Sequence, residues 1–217
     1  MKRRIVIAVL VLGIVLVSIS LIGSLAELRL PGDHSGYRPE QPIAFSHRVH
    51  AGELSVPCLY CHSGAEHSRT AGIPSANMCM NCHKFVTATL GAVREEERLA
   101  GEQDRAPKAM VSPELQKLYD ALALDDQLVR DPAKQPKPIE WARVHNIPDF
   151  VAFDHRPHIA ADVACQNCHG PVERMDRVRQ FASLGMGWCV DCHRKTVGVE
   201  NLSAPVDSSL DCATCHY

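Results

Sequence analysis

One short pattern, Cys-x-x-Cys-His, recurs five times: CLYCH at Cys58–His62, CMNCH at Cys79–His83, CQNCH at Cys165–His169, CVDCH at Cys189–His193 and CATCH at Cys212–His216. These words use all ten cysteines of the chain, namely Cys58, Cys61, Cys79, Cys82, Cys165, Cys168, Cys189, Cys192, Cys212 and Cys215. Two thiols at this spacing with a histidine directly behind them are the attachment signal for c-type haem. The thiols add to the two vinyl groups of one porphyrin, and the histidine offers a nitrogen to its iron. Structural zinc sites and redox dithiols also use Cys-x-x-Cys. Neither requires a histidine after the second cysteine, and a thiol oxidoreductase needs only one pair. The words leave no cysteine for a disulfide framework.

Five covalent haem c groups in 217 residues leave about forty residues for each, too few to build a conventional apolar core around every one. The porphyrins must then be the core. The expected fold is mainly helical and irregular, haem-cored, with little or no sheet. An aromatic content of 5% agrees, since the large flat apolar bodies would be cofactors. The net charge is −2 and no basic face or recognition motif is present, which excludes nucleic acid as a partner class.

The N-terminus carries Lys2, Arg3 and Arg4, and Ile5 to Ala26 then runs without a charge. As a helix this run spans about 33 Å, enough to cross a bilayer. The basic start places the N-terminus in the cytoplasm and the remainder on the periplasmic side of the inner membrane, as a single-pass protein. Ser24-Leu25-Ala26 resembles a signal-peptidase site, but the apolar run exceeds the usual signal length, which favours a retained anchor.

Behind the anchor (1–26) and a connector (27–43) the chain repeats itself. Ala44-Phe-Ser-His47-Arg-Val-His50 precedes the words at Cys58 and Cys79; Ala152-Phe-Asp-His155-Arg-Pro-His158 precedes those at Cys165 and Cys189. The offsets are 108 between the histidine pairs, 107 between the first words and 110 between the second words. This is an internal duplication of a two-haem unit, over 44–84 and 141–195. A segment over 85–140 separates the units, and the fifth word lies in 196–217. Within 85–140, Ser112-Pro113-Glu114 is a helix start, Leu115, Leu118, Tyr119 and Leu122 share one face, REEER at Arg94–Arg98 reads as a solvated face, and 131–138 reads as a linker.

The proximal iron ligands are His62, His83, His169, His193 and His216. Candidates for the opposite face are His47, His50, His155 and His158, whose spacing of three places both members of a pair on one side of a helical turn, together with His145. His67 and Met175 occupy similar places behind the first words of the two units and are further candidates; a methionine there would raise that haem's potential. Met78, Met80 and Met186 read as packing against haem, and His34 as a polar side chain. The fifth word has no histidine pair of its own, so its sixth ligand is expected from a distant segment, with His50, His158 or His145 as donors.

The Phe-x-His-x-x-His element before an attachment word resembles the multihaem class III cytochromes. The fuller set FSHRVH, YCHSGAEHS, AGIPSANMCMNCHK, PIEWARVHNIPDFVAFDHRPH, CQNCHGPVERM and MGWCVDCHRK, with one anchor and five words, resembles the pentahaem cytochrome subunit of bacterial alternative complex III, over 41–84, 138–216 and the anchor. The class III resemblance implies that His47 and His155 serve the haems at Cys58 and Cys165. The fuller resemblance implies a non-catalytic electron-transfer subunit of a quinol-oxidising respiratory complex. Its partners would be integral membrane and iron–sulfur subunits, a periplasmic or membrane-attached cytochrome c, and a terminal oxidase. Two rivals are a small anchored quinol dehydrogenase feeding a multihaem reductase and a catalytic multihaem enzyme with an open iron.

Overall fold

The computed structural model describes residues 2–27, 33–196 and 210–216. The first element, α1 (Lys2–Glu27), is a continuous 26-residue helix with its large apolar side chains from Ile5 to Ile22 exposed, long and apolar enough to cross a membrane. The body that follows is helical and irregular. Among the described residues the only β pairing is two isolated bridges, Leu124 with Arg130 and Val151 with His216.

Every attachment word is wound as a helical turn: α2 (Cys58–Cys61), the end of α4 (Ala76–His83), α8 (Cys165–His169), α9 (Met186–Thr196) and α10 (Cys212–Cys215). A spacing of three on a helix brings both cysteines to one side. The first histidine pair sits on a π-helical turn, Arg48–Glu53, with His47 at its N-cap. The second sits on α7 (His155–Ala160), whose Asp154 cap accepts from the Arg156 amide. Behind the first words come α3 (Gly64–His67) and a 3-10 turn, Val172–Arg174.

The duplicated units pair reciprocally. The π-turn of unit one packs on the 3-10 turn of unit two, and α7 of unit two packs on α3 of unit one. At an offset of 107 these are equivalent contacts made in both directions. Arg48 N–H donates to the Met175 carbonyl at 3.0 Å, and His155 N–H to the Arg69 carbonyl at 3.2 Å. Cys58 and Cys165, themselves equivalent, lie within hydrogen-bond reach of each other. A residue that meets its own equivalent marks the axis of a two-fold arrangement.

The segment between the units supplies α5 (Leu90–Glu102), capped by Thr89, and α6 (Pro113–Ala121), capped by Ser112 with Pro113 in its first turn. Leu118 and Tyr119 of α6 are buried, and the Tyr119 hydroxyl donates to the His83 carbonyl at 2.6 Å. This fastens the segment to the second word. Gln180, fully buried, is a second clasp. Its backbone pairs with Gly36 and Tyr37 of the connector, and its Oε1 accepts from Asn146 N–H at 2.9 Å.

Among the described residues, the buried apolar side chains are Ala65, Ala100, Ala123, Ala161, Ala182, Leu118, Tyr119 and Met175. Five alanines in eight cannot constitute a core. Tyr60, Ile73, Phe85 and Met186, which neighbour the words in sequence, stay exposed. The polypeptide is thus built as a wrapping with large apolar surfaces left to cover.

Candidate haem-binding site

The two histidine elements are built alike. Phe45 stands edge-on to His47 at 4.9 Å and stacks on His50 at 4.3 Å between centroids. Phe153 likewise stands edge-on to His155 at 4.8 Å and lies tilted by 32° against His158 at 4.9 Å. One phenyl thus braces both imidazoles of a pair.

Each braced imidazole faces the histidine of an attachment word. The centroid separations are 6.4 Å for His47 and His62, 6.0 Å for His50 and His83, 6.4 Å for His155 and His169, and 6.1 Å for His158 and His193. These distances test whether an iron fits between the rings. A metal–imidazole bond of about 2 Å and about 1.1 Å from nitrogen to ring centre, on each side, sum to about 6.2 Å. The four separations lie close to that sum. The ring planes are near parallel in the first and third pairs, 8° and 4°, and turned by 62° and 42° in the second and fourth.

Tautomer and orientation are set by the nitrogens turned away from the gap. Nδ1 lies against a backbone carbonyl in His62 (Gly72, 2.9 Å), His83 (Val86, 2.8 Å), His50 (Ser46, 2.8 Å), His158 (Asp154, 2.8 Å) and His155 (Arg69, 2.8 Å). An Nδ1–H donated to a carbonyl leaves Nε2 with its lone pair for a metal. His47 Nδ1 is buried without a partner. Burial, then the neighbouring His62 and His50, pulls the His47 pKa down to about 4. His169 is also pulled down to about 4, by burial and then by His145 and further histidines. Both rings are therefore neutral at pH 7, the form that ligates iron.

His145 lies beside a proximal histidine: its Nε2 is 3.1 Å from His169 Nδ1, with the rings at 85°. His67 is exposed, 4.0 Å from Glu66. Met175 is buried, and its carbonyl joins the two units. His34 stands edge-on to Tyr37. His216 has Phe150 across from it, at 5.9 Å and 22°, and its segment is pinned by Ala152 N–H donating to the Cys215 carbonyl at 2.8 Å. Of the three donors expected for the fifth word, His50 and His158 face His83 and His193 instead.

Thiols of different words come near one another. Burial raises the Cys61 pKa, with Cys82 adding to it; burial raises Cys168, with Cys192 and Cys189 adding; burial raises Cys189, with Cys215 adding. Cys58 of the first word also lies beside Cys165 of the third. Among the described residues no group of three or more His, Cys, Asp and Glu side chains converges as a metal-ion cluster.

Comparison with known proteins agrees with this chemistry. Residues 151–217, which hold the last three words, match the family model described as cytochrome c7 and related cytochrome c. The chain is 27% identical over 197 residues to the menaquinone reductase, multiheme cytochrome c subunit, of Nitratidesulfovibrio vulgaris strain Hildenborough, covering 82% of this chain and 77% of that protein. Fold, attachment words and similarity agree on a mainly helical chain that resembles multihaem c-type cytochromes and is cytochrome c7-like over residues 151–217.

Proposed function

We propose that the chain is a membrane-anchored pentahaem electron-transfer subunit of a quinone-linked respiratory complex, with its haem body on the periplasmic side. The observation that carries this reading is the set of four imidazole pairs separated by 6.0–6.4 Å. Bound haem would supply a one-electron iron couple at each word. The chain's residues would do the rest: ten thiols would hold the porphyrins, four pairs of histidines would ligate the irons, and backbone carbonyls would orient five of the rings through Nδ1. Irons closed on both sides pass electrons and leave no position for a substrate.

The two-fold junction lies between the first and third words, where Cys58 meets Cys165. The four pairs use eight imidazoles, so the fifth position draws on none of them. The resemblance of the motifs to alternative complex III favours electrons leaving a quinol toward a cytochrome c or terminal oxidase. The similarity to the menaquinone reductase subunit of Nitratidesulfovibrio favours a second reading, in which the chain delivers electrons toward menaquinone.

Purification from membranes in mild detergent tests the reading. Mass and haem staining should give five covalent haems, ferric spectra should be dominated by low-spin iron, and membrane and iron–sulfur subunits should copurify. Reduction by a menaquinol analogue, against oxidation of the reduced complex by a menaquinone analogue, decides the direction. Free thiols on all ten cysteines, or a zinc-loaded mass, would overturn the reading.

A further inference from the structure

The histidines of the first words, His62 and His169, are equivalent at an offset of 107 and face equally distant, near-parallel partners, 6.4 Å and 8° against 6.4 Å and 4°. They differ in what holds the other nitrogen. His62 Nδ1 meets the amide carbonyl of Gly72 at 2.9 Å. His169 Nδ1 meets a ring nitrogen, His145 Nε2, at 3.1 Å. The position equivalent to Gly72 in unit two is Arg179; His145 enters instead from ahead of the second histidine pair.

We propose that His145 is a positioning residue for His169, accepting its Nδ1–H and thereby setting the potential of the third haem below that of the first. The inference rests on the reading of His169 as a proximal ligand, which commits His169 Nε2 to iron and leaves Nδ1 as the donor. An imidazole nitrogen is a stronger base than an amide oxygen, so it draws the Nδ1 proton harder and makes His169 a more electron-rich ligand. Such a ligand favours ferric over ferrous iron. Hydrogen bonding to the axial ligand is one of the levers by which a protein sets haem potential.

The surroundings hold His145 in this place. Arg143 Nε donates to the His145 carbonyl at 2.9 Å, and the next residue, Asn146, is tied to the fully buried Gln180. The two rings cross at 85°, with 4.4 Å between centroids. The consequence is a built-in step between the first and third sites, added to the difference between their facing histidines, since His155 Nδ1 meets the Arg69 carbonyl and His47 Nδ1 has no partner.

The test is a redox titration of the full-length holoprotein, followed optically and by low-temperature paramagnetic resonance, for wild type, His145→Ala and His145→Gln. His145→Ala should raise one resolved potential while the haem count and the low-spin signals stay unchanged. His145→Gln offers an amide oxygen, as Gly72 does to His62, and should bring the potentials of the first and third haems together. If a low-spin signal turns high-spin in either variant, His145 is itself an iron ligand and the proposal is overturned. Unchanged potentials in both variants also overturn it. Failure of the underlying reading shows separately, as a wild-type spectrum without low-spin haem.

Discussion

The backbone of Gly52 lies so close to Glu173 that a Cβ at Gly52 would sit 2.3 Å from the Glu173 carbonyl oxygen. The two residues belong to different units, and the contact is where the π-turn of one meets the 3-10 turn of the other. A backbone oxygen cannot swing aside as a side chain would. Gly52→Ala should therefore push the units apart and cost about 1–3 kcal/mol, the usual range for overpacking. Gly91 in α5 has nothing within 4 Å of the same added atom, so Gly91→Ala should be neutral or stabilising by up to about 1 kcal/mol. Thermal melts of both variants at equal haem content make the comparison.

Replacing the braced histidines one at a time should open one iron each. His47→Ala is expected to convert the haem at Cys58 to high spin, His50→Ala that at Cys79, His155→Ala that at Cys165 and His158→Ala that at Cys189. His67→Ala should leave the spectrum unchanged, because that ring is exposed beside Glu66. Magnetic circular dichroism on the five variants reads the outcome. A high-spin signal in His67→Ala would contradict this assignment.

The ring planes predict two classes of ferric signal. Parallel imidazoles lift the degeneracy of the iron orbitals they overlap, whereas turned imidazoles do so much less. The first and third pairs, at 8° and 4°, should give rhombic low-spin spectra. The second and fourth, at 62° and 42°, should give more axial spectra with a larger leading g value. Continuous-wave spectra at liquid-helium temperature would show whether both classes are present.

Glu96 supplies a pH dependence outside the haem array. The Arg105 guanidinium, Nη2 to Oε2 at 3.2 Å, and the Lys108 amide at 2.8 Å hold it, and the carboxyl falls from 4.5 to about 2. A folded-state pKa below the unfolded one gives stability that is complete above the unfolded value and is lost as pH falls through the folded value. Acid should thus weaken the wild type between about pH 4.5 and 2 through this site, and Glu96→Gln should flatten that part of the curve. Melting temperatures across this range, for both proteins, provide the check.

Much of this was legible in the sequence. The mainly helical, strand-poor fold followed from five attachment words in a chain too short to bury a core around each. The helix behind Ser112 was announced by a cap, a proline and an apolar stripe, all local signals. The contacts that complete the site were not legible, because most are made by backbone. Gly72, Val86, Arg69, Ser46 and Asp154 offer carbonyls to imidazoles, and a carbonyl carries no residue code. His145 was legible as a histidine of interest, but the pattern does not distinguish a group facing a metal from one facing a metal's ligand. The reciprocal pairing of the units was hidden for a related reason: a duplication shows that two copies exist and says nothing about which surfaces they present to each other.

That pairing carries a consequence for how such a chain assembles. A surface that matches its own copy is what two identical free molecules would use to dimerise, and their union would depend on how many of them were present. Here the copies share one polypeptide, so each meets the other at an effective concentration set by the tether, in the millimolar range for short flexible linkers. A weak self-affinity is then sufficient, and the junction at Cys58 and Cys165 closes independently of expression level. Dilution would separate two halves expressed as independent chains, while the tethered copies stay joined.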